Sequence, residues 1–222
     1  MSQSAGTGDA KSNMDNMYRY TRHIYDLTRK YYLFGRDRLI AELPVGKDEL
    51  ICEVGCGTAR NLIMLAKRHP SVRFYGVDAS TEMLRTADAN VRSSGLDGRI
   101  VVATALAQDF DGGMQFGLTK PFDRLIFSYA LSIMDDWKAA VDHALTQLKP
   151  GGSIHVVDFG DQEGMPGWFK KLLGGWLAQF HVRFRPEVRK HFETLEKAGK
   201  GKMTYRAVMR GYAYRLDFVK AS

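Results

Sequence analysis

Between positions 51 and 61 the chain reads ICEVGCGTARN. A short apolar run enters an acid, Glu53, passes through Gly55, Cys56 and Gly57, and leaves into helix-forming residues. That order predicts a strand, a tight turn and a helix start in immediate succession. Glycines let the backbone approach a ligand closely, and the free amides of a helix N-terminus favour an electron-rich group. The dinucleotide fingerprint needs a further glycine where Arg60 stands, so a pyrophosphate-containing cofactor is disfavoured.

Around this loop, short apolar runs alternate with amphipathic stretches. Strands are expected at 50–54, 72–77, 99–103, 122–128 and 153–158, with helices at 60–68, 81–92 and 136–148. This alternation predicts a mostly parallel sheet with helices on both faces. The second strand ends in GVDAS, which places Asp78 23 residues after Gly55, where a carboxylate can accept bonds from two ribose hydroxyls. Ser80 reads as the N-cap of the following helix, with Glu82 in its first turn. After Gly160 the pattern changes to an apolar helix at 164–182, a second at 186–198, and an antiparallel hairpin of 202–209 and 212–219 around Gly211. At the other end, 14–32 has helical spacing, Gly35 breaks it, and RDRLIAEL (36–43) begins a short helix. Residues 1–13 read as a disordered tail, and 14–222 as a single domain.

The net charge of +7 is uneven. From position 167 to 222 there are 13 Lys and Arg against 4 Asp and Glu, so basic character belongs to one end of the chain and suggests an acidic partner surface there. Cys52 and Cys56, the only cysteines, have no companion ligands at metal spacing and predict a reduced, cytoplasmic setting. No apolar run is long enough to cross a bilayer, and the first residues lack the apolar core of a secretory signal. His155 reads as a core or sheet residue, His143 lies on a polar helix face, and His181 and His191 have no acid at triad-like spacing.

The strings EVGCGTA (53–59), GVDAS (76–80), FDRLIFSYAL (122–131) and LKPGG (148–152) resemble the class I methyltransferase family. The resemblance implies a Rossmann-like α/β fold: a seven-stranded, mostly parallel sheet with a C-terminal antiparallel hairpin and added N-terminal helices. It implies S-adenosyl-L-methionine as cofactor. Glu53, Gly55, Cys56 and Gly57 would wrap its methionine part, and Asp78 and Ala79 would hold the ribose. Thr104, Ala105 and Leu106 would flank the adenine, with Asp109 as an alternative acceptor. Ser128 and Tyr129, after the fourth strand, would face cofactor and substrate. Ala59 replaces the commoner third glycine of the loop.

The segment MYRYTRHIYDLTRKYYLFGRDRLI (17–40) carries five tyrosines, Tyr18, Tyr20, Tyr25, Tyr31 and Tyr32, interleaved with arginines. Such a stripe either packs on the sheet or lines a pocket for a cation beside an anion. Its strings HIYDLTRKYY and GRDRLI resemble the start of the BtaB family, the methyltransferase of betaine-lipid synthesis, and the likeness continues into WFKKLLGGWLAQFHV (168–182). This resemblance implies threefold N-methylation of diacylglyceryl-homoserine to diacylglyceryl-trimethylhomoserine. It also implies peripheral membrane contact and a partner, the 3-amino-3-carboxypropyl transferase that makes the substrate. The amine is a nucleophile with a reference pKa of about 8, so alignment matters more than a strong base. Tyr25, Tyr32 and Tyr129 are the candidates to orient it, with Asp26 beside them, and Arg22, Arg36 and Asp158 the candidates to hold the head group. Residues 14–43 would form a lid and 164–198 a membrane-facing insertion. In the latter, Trp168, Phe169, Leu172, Leu173, Trp176, Leu177 and Phe180 share a broad face near Lys170 and Lys171. The competing readings are phosphatidylethanolamine, another small amine, a nucleic acid, or a non-catalytic cofactor-binding module. No nucleic-acid partner is expected, because Phe127-Ser128-Tyr129-Ala130 stands where amino-methylating nucleic-acid enzymes carry Asn/Asp-Pro-Pro-Tyr.

Overall fold

The structure is a computed structural model that describes residues 33–178 and 182–222. In chain order the elements are α1 (Arg36–Glu42), β1 (Ile51–Val54), α2 (Arg60–Arg68), β2 (Phe74–Asp78), α3 (Thr81–Ser93), β3 (Ile100–Thr104) and α4 (Gly112–Phe116). They continue as β4 (Phe122–Ser128), α5 (Trp137–Gln147), β5 (Leu148–Phe159), α6 (Gly167–Ala178), α7 (Pro186–Lys197), β6 (Gly201–Val208) and β7 (Ala213–Lys220). Among the described residues the expected strands and helices are present, most of them shifted by no more than a residue or two at their ends. Three differences stand out. Helix α4 was not expected, because its two glycines conceal it; Asp111 caps it by accepting from the Met114 amide. Strand β5 starts five residues early, since Leu148 already pairs with Phe122 across an irregularity in β4. Helix α6 is shorter than the 164–182 expected. The expected tail (1–13) and first helix (14–32) lie outside the described residues.

The sheet order is β3-β2-β1-β4-β5-β7-β6. Strands β1 to β5 run parallel, and β7 is antiparallel to both β5 and β6. Each parallel crossover carries a helix, which covers the sheet from both sides. Alternation of side chains divides the core accordingly. Ile51, Ile126 and Val157 face one layer with Leu39, Leu62, Leu65 and Ala87 from α1, α2 and α3. Cys52, Leu125, Phe127 and Val156 face the other with Ala140 and Ala144 of α5 and Val188 and Phe192 of α7. Val188 and Phe192 are fully buried, and together contribute roughly 3–6 kcal/mol to docking α7.

One consequence of this topology governs function. The carboxyl ends of β1, β2 and β4 form one edge, beside the point where the strand order reverses, and crevices in open α/β sheets occur there. The β6–β7 turn reaches the same edge, because β7 is antiparallel to β5 and Ala213 pairs with Phe159. That turn holds Met209 and Arg210 at φ 49° and 56°. Left-handed backbone at two successive non-glycine residues costs about 1–2 kcal/mol each.

Candidate functional site

Gly55 and Gly57 adopt φ 76° and 52°, so the bend after β1 uses the left-handed backbone that glycine tolerates. Ala59, also left-handed at φ 61°, follows just before α2. The amides of Gly55 and Cys56 donate to the Val77 carbonyl at 2.8 and 3.0 Å, which pins the loop across the end of β2. A Cβ on Gly55 would lie 3.0 Å from Ala130 Cβ and 3.3 Å from Met134 Cε. The loop after β4 thus presses on the glycine bend from the other side.

A cavity of about 170 Å³ opens along this bend, with Glu53, Gly55, Gly57, Asn61, Ser128 and Arg36 on its wall. Cys56, Thr58, Arg60 and Leu33 complete the lining. Glu53 is buried, and its Oε1 accepts from Asn61 Nδ2 at 2.6 Å. The Oγ of Ser128 and the Oδ1 of Asn61 are buried with no hydrogen-bond partner among the described residues. Buried polar atoms of this kind are normally satisfied, so they signal a polar ligand or water in the crevice. An acid, an amide oxygen and a hydroxyl together fit an ammonium group. Arg36 is 7% exposed and adds a cation to the same wall. Its Nε lies 3.9 Å from Asp37 Oδ1, but Asp37 is bound more closely by Arg60, at 2.7 and 3.2 Å.

Asp78 lies beyond this cavity, at the end of β2. Its Oδ2 accepts from the Gly57 amide at 2.8 Å and its Oδ1 from the Ser80 amide at 2.9 Å. Each carboxylate oxygen has two lone pairs, so these bonds leave capacity for hydroxyl donors. Ser80 caps α3 by accepting from the Met83 amide at 3.3 Å, as its position in the sequence suggests. Thr104 is paired with Asp78 across the sheet and is exposed; Ala105 and Leu106, half-buried, follow, with Ala105 N–H on the Asp78 carbonyl at 3.1 Å. Asp109 is exposed beyond them. The structure therefore brings Glu53, Gly55, Cys56, Gly57, Ser128 and Arg36 around one cavity. Asp78, Ala79 and Thr104 continue the same sheet edge.

Other expected site residues fall elsewhere. Tyr129 is buried, and its left-handed backbone (φ 54°) turns the ring into the core, 4.7 Å from the Phe159 ring in an edge contact. Its hydroxyl donates to the Phe34 carbonyl instead of lining the cavity. Burial pushes the phenol well above its ordinary range, and the negative charge of Asp158 adds to the rise. Asp158 also points inward. It is 1% exposed, accepts from the Ser132 and Phe159 amides at 3.0 and 2.8 Å, and burial raises its carboxyl to about 6. It organises the loop after β4 and does not reach the cavity. Tyr25, Tyr32, Asp26 and Arg22 lie outside the described residues.

Two side-chain groupings escaped the sequence reading. His155, rightly placed in the sheet, is clasped by Ser153 Oγ (2.9 Å) and Asp217 Oδ1 (2.7 Å). This is a buried structural relay, for His155 is 4% exposed and Arg124 donates to the same Ser153 hydroxyl at 3.1 Å. Burial would raise the Asp217 carboxyl, but its bond to His155 and the charges of His155 and Arg215 outweigh that and lower it. His191 does meet an acid, Asp142 of α5, at 2.6 Å; the pairing joins residues 49 apart, which no local spacing announces. Cys52 and Cys56 are both free thiols, and no metal-binding group of His, Cys, Asp and Glu occurs among the described residues.

Comparison with known proteins agrees with this geometry. Residues 51–152 match the family described as a methyltransferase domain. The demethylmenaquinone methyltransferase of Thermus thermophilus is 29% identical over 140 residues, which is 61% of this chain and 60% of that protein. The chain thus spans about six-tenths of the length of that relative. Among solved structures, the S-adenosylmethionine-dependent methyltransferase SibL superposes with a TM-score of 0.67 at 18% identity, covering 91% of this chain and 58% of SibL. A chain from the complex of the Haloferax volcanii Trm112 methyltransferase activator with a putative methyltransferase superposes at 0.70 and 14% identity, covering 94% and 99%. These likenesses establish the Rossmann-like methyltransferase fold expected from the sequence.

Proposed function

We propose that this chain, whose residues 51–152 are a class I methyltransferase domain using S-adenosyl-L-methionine, methylates the amine of a lipid head group. The acceptor in this reading is diacylglyceryl-homoserine, and three transfers yield diacylglyceryl-trimethylhomoserine. The observation that carries it is Arg36, a buried guanidinium on the wall that also holds Glu53 and Ser128. A cation placed there matches a carboxylate beside the amine, and guanidinium binds carboxylates in a two-pronged geometry.

When bound, S-adenosyl-L-methionine supplies an electrophilic sulfonium methyl. The protein's own residues do the positioning. Glu53, steered by Asn61, offers a carboxylate to the ammonium of the cofactor's methionine part. Asp78 offers lone pairs to ribose hydroxyls while holding Gly57. Ser128 Oγ is placed to hydrogen-bond a ligand in the crevice. Arg36 fixes the head-group carboxylate, so that the amine enters in one orientation. A neutral amine needs no strong base, consistent with a crevice in which Tyr129 and Asp158 are turned away. The 3-amino-3-carboxypropyl transferase that builds the head group is the partner this reading expects, at a membrane surface.

The test uses purified protein, labelled methyl donor, and micelles holding diacylglyceryl-homoserine, phosphatidylethanolamine or demethylmenaquinol. Methylation of the first is expected. Turnover confined to phosphatidylethanolamine would replace the carboxylate with a phosphate. The kinship with a demethylmenaquinone methyltransferase favours a second reading, C-methylation of a quinol, and turnover confined to that acceptor would establish it. Arg36→Met separates the two possible owners of the carboxylate. KM for the lipid should rise at least about tenfold with unchanged affinity for S-adenosylhomocysteine. Loss of cofactor affinity instead would assign Arg36 to the methionine part and remove the main support for the homoserine acceptor.

A further inference from the structure

Helix α6 follows β5, whose carboxyl end lies on the sheet edge that also carries the ends of β1 and β4. Its inner side is anchored by Leu173, 9% exposed, and by Trp176, which packs on the core cluster containing Leu33, Phe159 and Tyr212. Its outer side is apolar too. Trp168 is 69% exposed and Leu172 67%, four residues apart and so on one face of the helix. The sequence places all the large apolar residues of this segment on one broad face; the structure divides them between an anchored side and a solvent side. Phe180, and the side chains of Phe169 and Leu177, lie outside what the structure describes.

Two further segments, one before α6 and one after it, also hold exposed apolar side chains. The stretch leading into α6 runs along the β6–β7 turn, with Gly164 N–H on the Arg210 carbonyl at 3.1 Å and Gln162 N–H on the Gly211 carbonyl at 2.7 Å. At that turn Met209 is 53% exposed, held in left-handed backbone. Past α6, Phe184 is 42% exposed where the chain rests on the loop after β4, through Arg183 N–H on the Ser132 carbonyl at 3.0 Å. Strained, exposed, non-glycine residues persist where something other than folding retains them.

Charge indicates the kind of partner. In the chain, Lys170, Lys171, Arg183 and Arg210 stand next to or within two residues of these apolar residues, against Asp161 and Glu163 in the stretch before α6, and the first turn of α6 has no acid. An aromatic and an aliphatic tip flanked in the chain by lysine and arginine suits the head-group zone of an anionic bilayer. We propose that Trp168, Leu172, Met209 and Phe184 form a docking face that seats the cavity edge on an anionic lipid surface, and that this face presents the crevice to its acceptor. The inference rests on the lipid reading of the acceptor, and the two fail separately.

The experiment sediments the full chain with phosphatidylcholine vesicles, with and without phosphatidylglycerol; neither lipid offers a methyl-accepting amine. Binding is expected only with the anionic lipid, weakening as salt rises. The double variant Trp168→Ala/Leu172→Ala, and separately Lys170→Glu/Lys171→Glu, should lose at least about tenfold in vesicle affinity. Both should keep wild-type binding of S-adenosylhomocysteine, which also reports that they fold. No binding to anionic vesicles, or variants that bind like wild type, overturns the docking face, whatever the micelle assay shows for the acceptor. Conversely, vesicle binding without methylation of any lipid refutes the acceptor and keeps the face. A dimer by sedimentation equilibrium that the Trp168→Ala/Leu172→Ala variant dissociates overturns it in favour of a contact between two copies of the chain.

Discussion

The carboxylate of Asp78 holds the amide of Gly57 at 2.8 Å, so the acid at the end of β2 and the glycine bend after β1 are a single unit. Asp78→Ala removes an acceptor offered to the cofactor and also releases the bend. Affinity for S-adenosylhomocysteine should fall at least tenfold, or about 1.4 kcal/mol. Titration calorimetry measures it, and unchanged affinity would refute the assignment of this edge to the cofactor.

Gly55 is confined in two ways, by φ 76° and by Ala130 Cβ at 3.0 Å from where a side chain would begin. Gly55→Ala should destabilise the fold by roughly 1–3 kcal/mol in chemical denaturation, because both strain and overpacking are introduced. Cofactor affinity should fall with it, since the bend must move away from Ala130 and Met134.

Tyr129 tethers the segment ahead of α1 by donating to the Phe34 carbonyl. Tyr129→Phe removes that bond and keeps the edge contact with Phe159. The expected loss of stability is about 0.5–1.5 kcal/mol. Turnover at saturating acceptor should stay within about threefold of wild type, because the hydroxyl does not line the cavity. A loss of several hundredfold in kcat with an unchanged fold would restore Tyr129 as a residue that orients the amine.

Asp158 sets a pH dependence of known sign. Its carboxyl is raised to about 6 in the folded protein from an ordinary value of 3.8, so the native state holds the proton more tightly. That contribution is fully present below about pH 4, is lost as pH rises through 6, and is absent at pH 7. Relative to Asp158→Asn, whose side chain does not titrate, the wild type should gain on the order of 3 kcal/mol between pH 7 and pH 4. Paired denaturation curves at the two pH values check this. A difference that does not change with pH would show that Asp158 is not held protonated by the fold.

Apart from α4, the described elements, their alternation and the glycine bend were legible in the chain alone. So were the place of Asp78 at the end of a strand and the role of Ser80 as the cap of the next helix. These features are local: period, capping chemistry and left-handed backbone are set within a few residues. What the folded arrangement decided is longer in range. Tyr129 and Asp158 sit at strand ends facing the crevice in any linear reading, yet a positive φ turns the first into the core and backbone amides of the β4 loop hold the second there. Arg36 becomes a wall of the cavity only because α1 packs on the sheet, and Arg215 on β7 binds Glu42 of that helix at 2.8 Å across 173 residues. Partners so distant in the chain meet through packing of whole layers, and no spacing along the sequence encodes which side chains that packing brings face to face.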